Sequence, residues 1–205
     1  MSVFYKFQYL VGLTPWERMP SLPIGDQAVA LLDQEQSDRE LPHGRALDLG
    51  CGTGFWSVRL AQRGWEVTGV DIVPKAVRTA RKRARGAGVD SRFVEGSITS
   101  LTGIGIGSGF RLILDFGAVH GLAPEQVRVV GREVTAVASE DASLLMYAFS
   151  PARRGPLPRG IDRQEIEQAL GGWTITHEEP FDVSGAPRFV QKARPRFYCL
   201  RRRRP

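Results

Sequence analysis

The fold is decided by the stretch Arg45-Ala46-Leu47-Asp48-Leu49-Gly50-Cys51-Gly52-Thr53-Gly54. Its first half predicts a short strand covered on both faces, because apolar residues fill most of its positions. Its second half is a turn with the spacing Gly-x-Gly-x-Gly. Glycines at these points allow positive φ values and a close approach of the backbone to a ligand. The stretch therefore predicts a strand that runs directly into a ligand-binding turn.

The glycine spacing argues against two other nucleotide-binding turns. A nicotinamide-binding turn needs a glycine five residues after its first, and that position is Phe55. A P-loop needs Gly-Lys followed by Ser or Thr, and no such residues follow the turn. Asp48 stands two residues before Gly50 and completes the pattern Asp-x-Gly-x-Gly-x-Gly. This pattern suits a ligand whose own backbone lies against the strand end.

A second acidic residue ends the next predicted strand. Asp71 lies 21 residues after Gly50, and an acid at this place can accept hydrogen bonds from both hydroxyls of a ribose. Alternatively, Asp71 caps the helix that begins at Pro74, which is a common local role. The glycine turn upstream favours the ribose interpretation.

Strands and helices alternate seven times along the chain, which predicts an α/β fold with a doubly wound parallel sheet. Helices then cover both faces of the sheet. A ligand of such a sheet binds across the carboxyl ends of the strands. The glycine turn and Asp71 both fall at strand ends, so they are expected at the same edge.

Asp48, the three glycines and Asp71 resemble the first motifs of class I S-adenosylmethionine (SAM) methyltransferases, and the resemblance covers residues 40–200. It implies a Rossmann-like, seven-stranded sheet, mostly parallel with the last strand antiparallel. It also implies SAM as cofactor and methyl transfer to an acceptor. The segment from Leu114 to His120 and the leader with Thr-Pro-Trp-Glu are most similar to small-molecule enzymes of this family, including thiopurine-type and actinobacterial sugar or metabolite methyltransferases.

The resemblance assigns cofactor contacts to the leader and to the ends of the first four strands. These residues are Trp16, Asp48, Gly50, Gly52, Gly54, Asp71, Ile72, Gly96, Ser97, Ile98, Asp115 and Phe116. The family often has an aspartate where Ser97 stands, which takes the adenine amino group. A serine hydroxyl can accept that hydrogen bond more weakly.

His120 follows the fourth strand and is the candidate general base for a hydroxyl acceptor, and also a candidate substrate contact. Asp115 is the second catalytic candidate, either orienting His120 or lining the cofactor amine. No metal is predicted, because Asp115 has no clustered acid at ligand spacing. The expected reaction is O-methylation of a sugar or secondary metabolite. Transfer to a thiol or an amine by positioning alone stays open.

Residues 1–24 are rich in aromatic side chains and either pack outside the sheet or close as a lid over cofactor and acceptor. As a lid, this segment makes Trp16 a cofactor contact and Tyr5 and Tyr9 substrate contacts. Residues 25–200 are expected to form the methyltransferase domain. Residues 201–205 are predicted to be a disordered basic tail.

Composition and charge bear on where the protein acts and on which other protein classes stay open. The 205-residue chain has a formal charge of +6, of which the tail arginines supply four. Two cysteines fit a reducing cytoplasm, and no apolar run reaches the length of a membrane span. The basic charge leaves an RNA methyltransferase as an alternative. That class is disfavoured because the fourth strand is followed by Asp-Phe-Gly and not by Asn/Asp-Pro-Pro-Tyr/Phe. A non-catalytic SAM-binding protein and the oligomeric state, monomer or homodimer, stay open.

Overall fold

A computed structural model describes residues 23–37, 39–152 and 158–203. Its seven strands form one sheet in the order β3-β2-β1-β4-β5-β7-β6. The strands are β1 (Arg45–Leu49), β2 (Glu66–Asp71), β3 (Ser91–Glu95), β4 (Phe110–Phe116), β5 (Ala138–Ala148), β6 (Trp173–Pro180) and β7 (Arg196–Arg202). Strands β1 to β5 are parallel to one another, and β7 lies antiparallel to both β5 and β6. The predicted sheet with a reversed last strand is confirmed.

Helices connect the strands and cover the sheet. They are α1 (Pro23–Ser37), α2 (Phe55–Gln62), α3 (Pro74–Gly86), α4 (Pro124–Val137), α5 (Arg163–Ala169) and α6 (Arg188–Ala193). Short 3-10 turns span Ile98–Ser100 and Val119–Gly121.

The sheet has a buried apolar layer on each face. Successive residues of a strand point to opposite faces, and β4 follows this rule. Leu114 packs in a cluster that contains Leu32 of α1, whereas Ile113 packs in a larger cluster that contains Val130 of α4. Both faces of β4 are therefore covered, as the apolar strand sequence requires.

The tail prediction is wrong for its first two arginines. Arg201 and Arg202 belong to β7, which is paired on both sides. Arg201 forms an ion pair with Glu35 of α1 at 2.8 Å, and Arg202 donates a hydrogen bond to the carbonyl of Ala138. Strand pairing and these contacts hold Arg201 and Arg202 in place. Their charge alone predicted a disordered, solvated tail.

Candidate functional site

Three carboxylates lie at the carboxyl ends of neighbouring parallel strands. Asp48 is the penultimate residue of β1, Asp71 ends β2, and Asp115 is the penultimate residue of β4. Their exposed fractions are 2%, 8% and 0%. Because the strands are parallel and adjacent, the three carboxylates share one edge of the sheet. This is the edge at which the sequence predicts ligand binding.

The glycine turn follows β1 with three left-handed residues. The φ angles of Gly50, Gly52 and Gly54 are +64°, +54° and +78°, which favour glycine. A Cβ on Gly50 would lie 2.6 Å from the Cβ of Ala118, and one on Gly54 would lie 2.8 Å from the Cβ of Ala80. Gly50 and Gly54 are thus required by packing against the protein itself. This packing requirement adds to the predicted close approach of the backbone to a ligand.

Asp71 joins the glycine turn to the start of α3. One carboxylate oxygen accepts a hydrogen bond from the Gly52 N–H at 2.9 Å, and the other accepts from the Val73 N–H at 2.8 Å. The capping and ligand-binding interpretations are therefore compatible. Each carboxylate oxygen can accept more than one hydrogen bond, so both can still receive a ribose hydroxyl.

Asp48 and Asp115 are held by different donors. The Ser57 hydroxyl of α2 donates to Asp48 at 2.5 Å. One oxygen of Asp115 accepts from the backbone N–H groups of Ala118 and Val119 at 2.7 Å and 3.2 Å. Within the described part of the chain, the other oxygen of Asp115 is buried with no hydrogen-bond partner. Asp115 therefore fixes the backbone turn that carries His120 and keeps one acceptor for a ligand.

Burial makes these acids hard to ionise. Burial, with a smaller contribution from the negative charge of a neighbouring carboxylate, outweighs the hydrogen bonds to these acids and raises the pKa of Asp48 and of Asp115 to about 7. Burial also raises the pKa of Asp71. These raised pKa values favour the protonated form of the acids at this edge of the sheet. A cationic ligand would offset the free-energy cost of ionising them.

These pKa shifts predict how stability depends on pH. Between pH 4 and pH 7 the folded state binds more protons than the unfolded state, in which an aspartate has a pKa of about 3.9. We expect the free energy of unfolding of the cofactor-free protein to fall by on the order of 3 kcal/mol between pH 5 and pH 8, measured by urea denaturation.

A matched pair of variants checks the cause. Asp115→Asn should make this slope shallower, because the amide keeps an oxygen for the Ala118 N–H and does not ionise, while Asp48 still titrates. Asp141→Asn should leave the slope unchanged, since Arg111 and Ser139 lower the pKa of Asp141 and move its titration to more acidic solution. Equal stability at pH 5 and pH 8 would contradict the assigned shifts.

The three predicted adenine contacts lie in different surroundings. Ile72 is a large apolar residue with 38% exposure, directly after Asp71. The Ser97 hydroxyl accepts from the Thr99 N–H at 3.2 Å and bonds the Thr99 hydroxyl, so it caps the following 3-10 turn. Ile98 is 9% exposed and packs in the larger core. Of these three residues, Ile72 is therefore the best placed to contact a planar ring.

Gly96 joins the end of β3 to β2. Its N–H donates to the carbonyl of Asp71 at 3.0 Å. This bond places Ser97 and the turn that follows beside the end of β2. The residue thus supports the edge through its backbone.

His120 does not have the geometry of the predicted general base. The residue is buried, and its Nδ1 accepts a hydrogen bond from the Phe149 N–H at 2.9 Å. This bond assigns the proton of the neutral ring to Nε2. A base needs an available lone pair, and in this tautomer Nε2 is a donor. His120 instead ties the turn after β4 to the end of β5.

Phe116, a predicted cofactor contact, belongs to an aromatic group near His120 whose other members the sequence did not assign to the site. Phe116, half-buried at the end of β4, has Trp56 of α2 at a centroid distance of 4.6 Å and Tyr147 of β5 at 6.2 Å. The rings of Phe149 and Tyr147 lie 4.7 Å and 6.1 Å from that of His120. Spacing along the chain gives no signal for this group, because it assembles only when β4 and β5 pair.

Three predicted contacts, Trp16, Tyr5 and Tyr9, lie outside the described residues. Among those described, no group of three or more His, Cys, Asp and Glu side chains is arranged to hold a metal ion. Nor does any helix in residues 23–37, 39–152 or 158–203 have the length and apolar character to cross a membrane.

Comparison with known proteins relates part of this chain to a methyltransferase domain family. The model of the methyltransferase domain family matches residues 46–141, which contain the glycine turn and all three carboxylates. This match supports an assignment to the class I SAM-dependent methyltransferases. The 2-heptyl-1-hydroxyquinolin-4(1H)-one methyltransferase of Mycobacteroides abscessus is 27% identical over 165 residues, covering 73% of this chain and 71% of the relative.

Two further methyltransferases show how far the similarity extends. Ribosomal RNA small subunit methyltransferase C of Alcanivorax borkumensis is 37% identical over 76 residues, which span 37% of this chain and only 23% of that protein. The structure of the N-methyltransferase NodS from Bradyrhizobium japonicum, in complex with S-adenosyl-L-homocysteine (SAH), superposes with a TM-score of 0.73. It is 17% identical and covers 90% of each chain, so it shows the methyltransferase fold.

The carboxyl edge has the chemical groups that SAM requires. The sulfonium and ammonium of SAM are cations, and ionisation of Asp48 and Asp115 is opposed mainly by burial. The unpartnered oxygen of Asp115 would accept from the ammonium group. Asp71 would hold the ribose, and the exposed side chain of Ile72 would lie against the adenine.

Proposed function

We propose that this methyltransferase transfers the methyl group of SAM to a hydroxyl group of a small-molecule acceptor. The observation that supports this proposal most directly is the order of side chains along the carboxyl edge of the sheet. Asp115 pairs with Leu49 of β1, on the side of the glycine turn, while the next residue, Phe116, pairs with Tyr147 of β5. The cofactor acids and the aromatic group therefore adjoin each other within one strand end.

The chain's contribution to such a reaction is positioning. SAM brings an electrophilic methyl group, so the protein has to bring the acceptor oxygen into line with it. Asp71 and the glycine turn would hold the cofactor on one side. Phe116 and its aromatic neighbours would hold the acceptor on the other and exclude water.

Similarity supports a small-molecule acceptor. The relative whose match extends over 71% of its length is named for a hydroxyquinolinone, a small molecule with a hydroxyl group. The match to the ribosomal RNA enzyme is confined to 23% of that protein.

A hydroxyl acceptor must lose its proton without His120 as base. A phenol has a pKa of about 10, as in tyrosine, so such an acceptor can ionise in solution or as the methyl group is transferred. A thiol or amine acceptor also needs no histidine base. The hydrogen bond from the Phe149 N–H to His120 argues against a histidine base. It therefore favours a thiol or amine acceptor over a sugar hydroxyl, which ionises far less readily.

His120→Asn tests the role of His120. The asparagine side-chain oxygen can accept the Phe149 N–H in place of Nδ1 but cannot serve as a base. We expect turnover within about tenfold of wild type, whereas loss of a general base costs about 10²–10⁴-fold. His120→Leu removes the acceptor altogether and should lower stability by about 1–3 kcal/mol. A loss above 10²-fold in a fully folded His120→Asn protein would restore the base assignment.

The proposed function is tested with SAM carrying a radiolabelled methyl group. Purified protein is offered phenols, N-hydroxy heterocycles, sugars, thiols and amines in parallel, together with total RNA. We expect label in a small-molecule hydroxyl product. Label recovered only in RNA, or only on sulfur or nitrogen, would overturn the hydroxyl assignment.

RNA is a candidate acceptor from a different class, the nucleic acids. The exposed face of α3 has six cations and no acidic residue: Lys75, Arg78, Arg81, Lys82, Arg83 and Arg85. Two of them serve the fold, because Arg81 donates to the carbonyl of Phe93 and Arg83 to that of Thr53. RNA binding that weakens steeply with salt concentration would favour this candidate.

A further inference from the structure

We propose that Tyr147 binds the methyl acceptor, donating a hydrogen bond from its hydroxyl group to an oxygen atom on a planar aromatic molecule. This inference rests on the proposed function and names the acceptor's chemical class and the residue that selects it. Tyr147 is then a specificity-determining residue of the acceptor site.

The first observation is an unsatisfied hydroxyl group. Tyr147 is 4% exposed, and its hydroxyl oxygen is buried with no hydrogen-bond partner in the part of the chain that the structure describes. Buried polar groups are nearly always paired in folded proteins, so an unpaired one calls for a partner outside the chain. Burial also raises the pKa of Tyr147. The group therefore stays protonated and can act as a donor.

The second observation is the position of Tyr147 in the sheet. It pairs with Phe116, and its neighbour along β5, Met146, pairs with Asp115. Tyr147 thus lies one strand beyond the acids of the cofactor side, at the same carboxyl edge. An acceptor held there would be adjacent to the cofactor and not remote from it.

The third observation is the chemistry of the surroundings. The ring of Tyr147 lies nearly parallel to that of Phe116, with an interplanar angle of 8°, and forms edge contacts with Phe149 and Phe181 at centroid distances of 5.9 Å and 5.0 Å. Aromatic rings prefer such offset and edge contacts with other rings. This lining offers few hydrogen-bonding groups, so it suits a flat aromatic molecule better than a sugar with many hydroxyls.

Gly117 lies beside Tyr147. Gly117 has a φ of +99°, and a Cβ placed on it would meet the Cε1 and Nε2 atoms of His120 at 3.6 Å and the Cδ1 atom of Tyr147 at 3.7 Å. These are ordinary van der Waals distances. Gly117 therefore places the backbone turn after β4 directly beside the rings of His120 and Tyr147.

The test compares Tyr147→Phe with Tyr198→Phe as matched control. Tyr198 is also buried on a neighbouring region of the sheet, but it belongs to the core on the opposite face. Binding of 2-heptyl-1-hydroxyquinolin-4(1H)-one, of catechol and of methyl glucoside is measured by calorimetry with saturating SAH. The thermal midpoint of each protein is measured without acceptor.

We expect the two planar probes to bind the wild type and the glucoside not to bind. Tyr147→Phe should weaken binding of the planar probes about 10–100-fold, leave SAM affinity unchanged and not lower the thermal midpoint, because it removes an unpaired hydroxyl. Tyr198→Phe should leave planar-probe affinity unchanged.

Apart from failure of the proposed function itself, three results would overturn the inference. One is SAM binding without binding of either planar probe, which would leave the proposed function standing. Another is unchanged planar-probe affinity in Tyr147→Phe. The third is a thermal midpoint that falls by several degrees in Tyr147→Phe, which would show a structural partner for the hydroxyl. A wild-type protein that binds no SAM would instead refute the proposed function, and the inference with it.

Discussion

Replacing Gly52 with valine is expected to abolish SAM binding in a protein that still folds. Gly52 has a φ of +54°, where a β-branched side chain is strained by roughly 1–3 kcal/mol. Its N–H also donates to Asp71 at 2.9 Å. Valine would move this N–H and place two methyl groups beside the turn, so both the turn and Asp71 would lose their geometry. Calorimetric titration with SAM measures the effect.

Gly105→Val is the matched control for backbone strain. Gly105 has a φ of +65°, and a Cβ added to it would meet no atom within 4 Å. Valine there has the same conformational cost but lies in the loop before β4. We expect wild-type SAM affinity for Gly105→Val. Undiminished affinity in a folded Gly52→Val protein would refute the assignment of the turn to the cofactor.

Removing the carboxylate of Asp71 is expected to have the second-largest effect. Asp71→Ala should weaken SAM binding by about 1.5–3 kcal/mol, the usual size for lost charge-assisted hydrogen bonds, which is about 10–150-fold in Kd. We expect the upper end of this range. The carboxylate also accepts from the Gly52 and Val73 N–H groups, so its loss frees the turn as well as the ribose contact.

Glu95→Gln controls for a change of charge at the same edge. Glu95 ends β3 as the strand partner of Asp71 and is exposed. Its variant should bind SAM with unchanged affinity. If Asp71→Ala binds within about twofold of wild type, Asp71 acts only as a structural cap.

Features read from contiguous residues were predictable. The glycine turn and its strand lie within ten residues, and the apolar pattern of β1 predicted that both its faces are covered, as they are. Asp162 stands three residues before Glu165, a spacing typical of a helix cap, and it accepts from the Glu165 N–H at 2.9 Å. In each case local sequence determines the geometry, so spacing alone carries the information.

Features that depend on distant contacts were not predictable. Helix α6 was missed because it has only six residues and shows little periodicity. The tautomer of His120 depends on Phe149, 29 residues away along the chain. The unpaired hydroxyl of Tyr147 has no sequence signature at all, since it depends on which groups fail to reach it. Strand pairing creates these contacts, and spacing within one segment does not record them.

The central claim is that SAM binds across the carboxyl edge of the sheet with its ribose on Asp71. A crystal structure of the protein in complex with SAH tests it most directly. We expect both ribose hydroxyls within hydrogen-bonding distance of the Asp71 carboxylate, the adenine against Ile72 and the amino acid portion beside the glycine turn. SAH bound at another place, or bound with only backbone partners on Asp71, would contradict the claim.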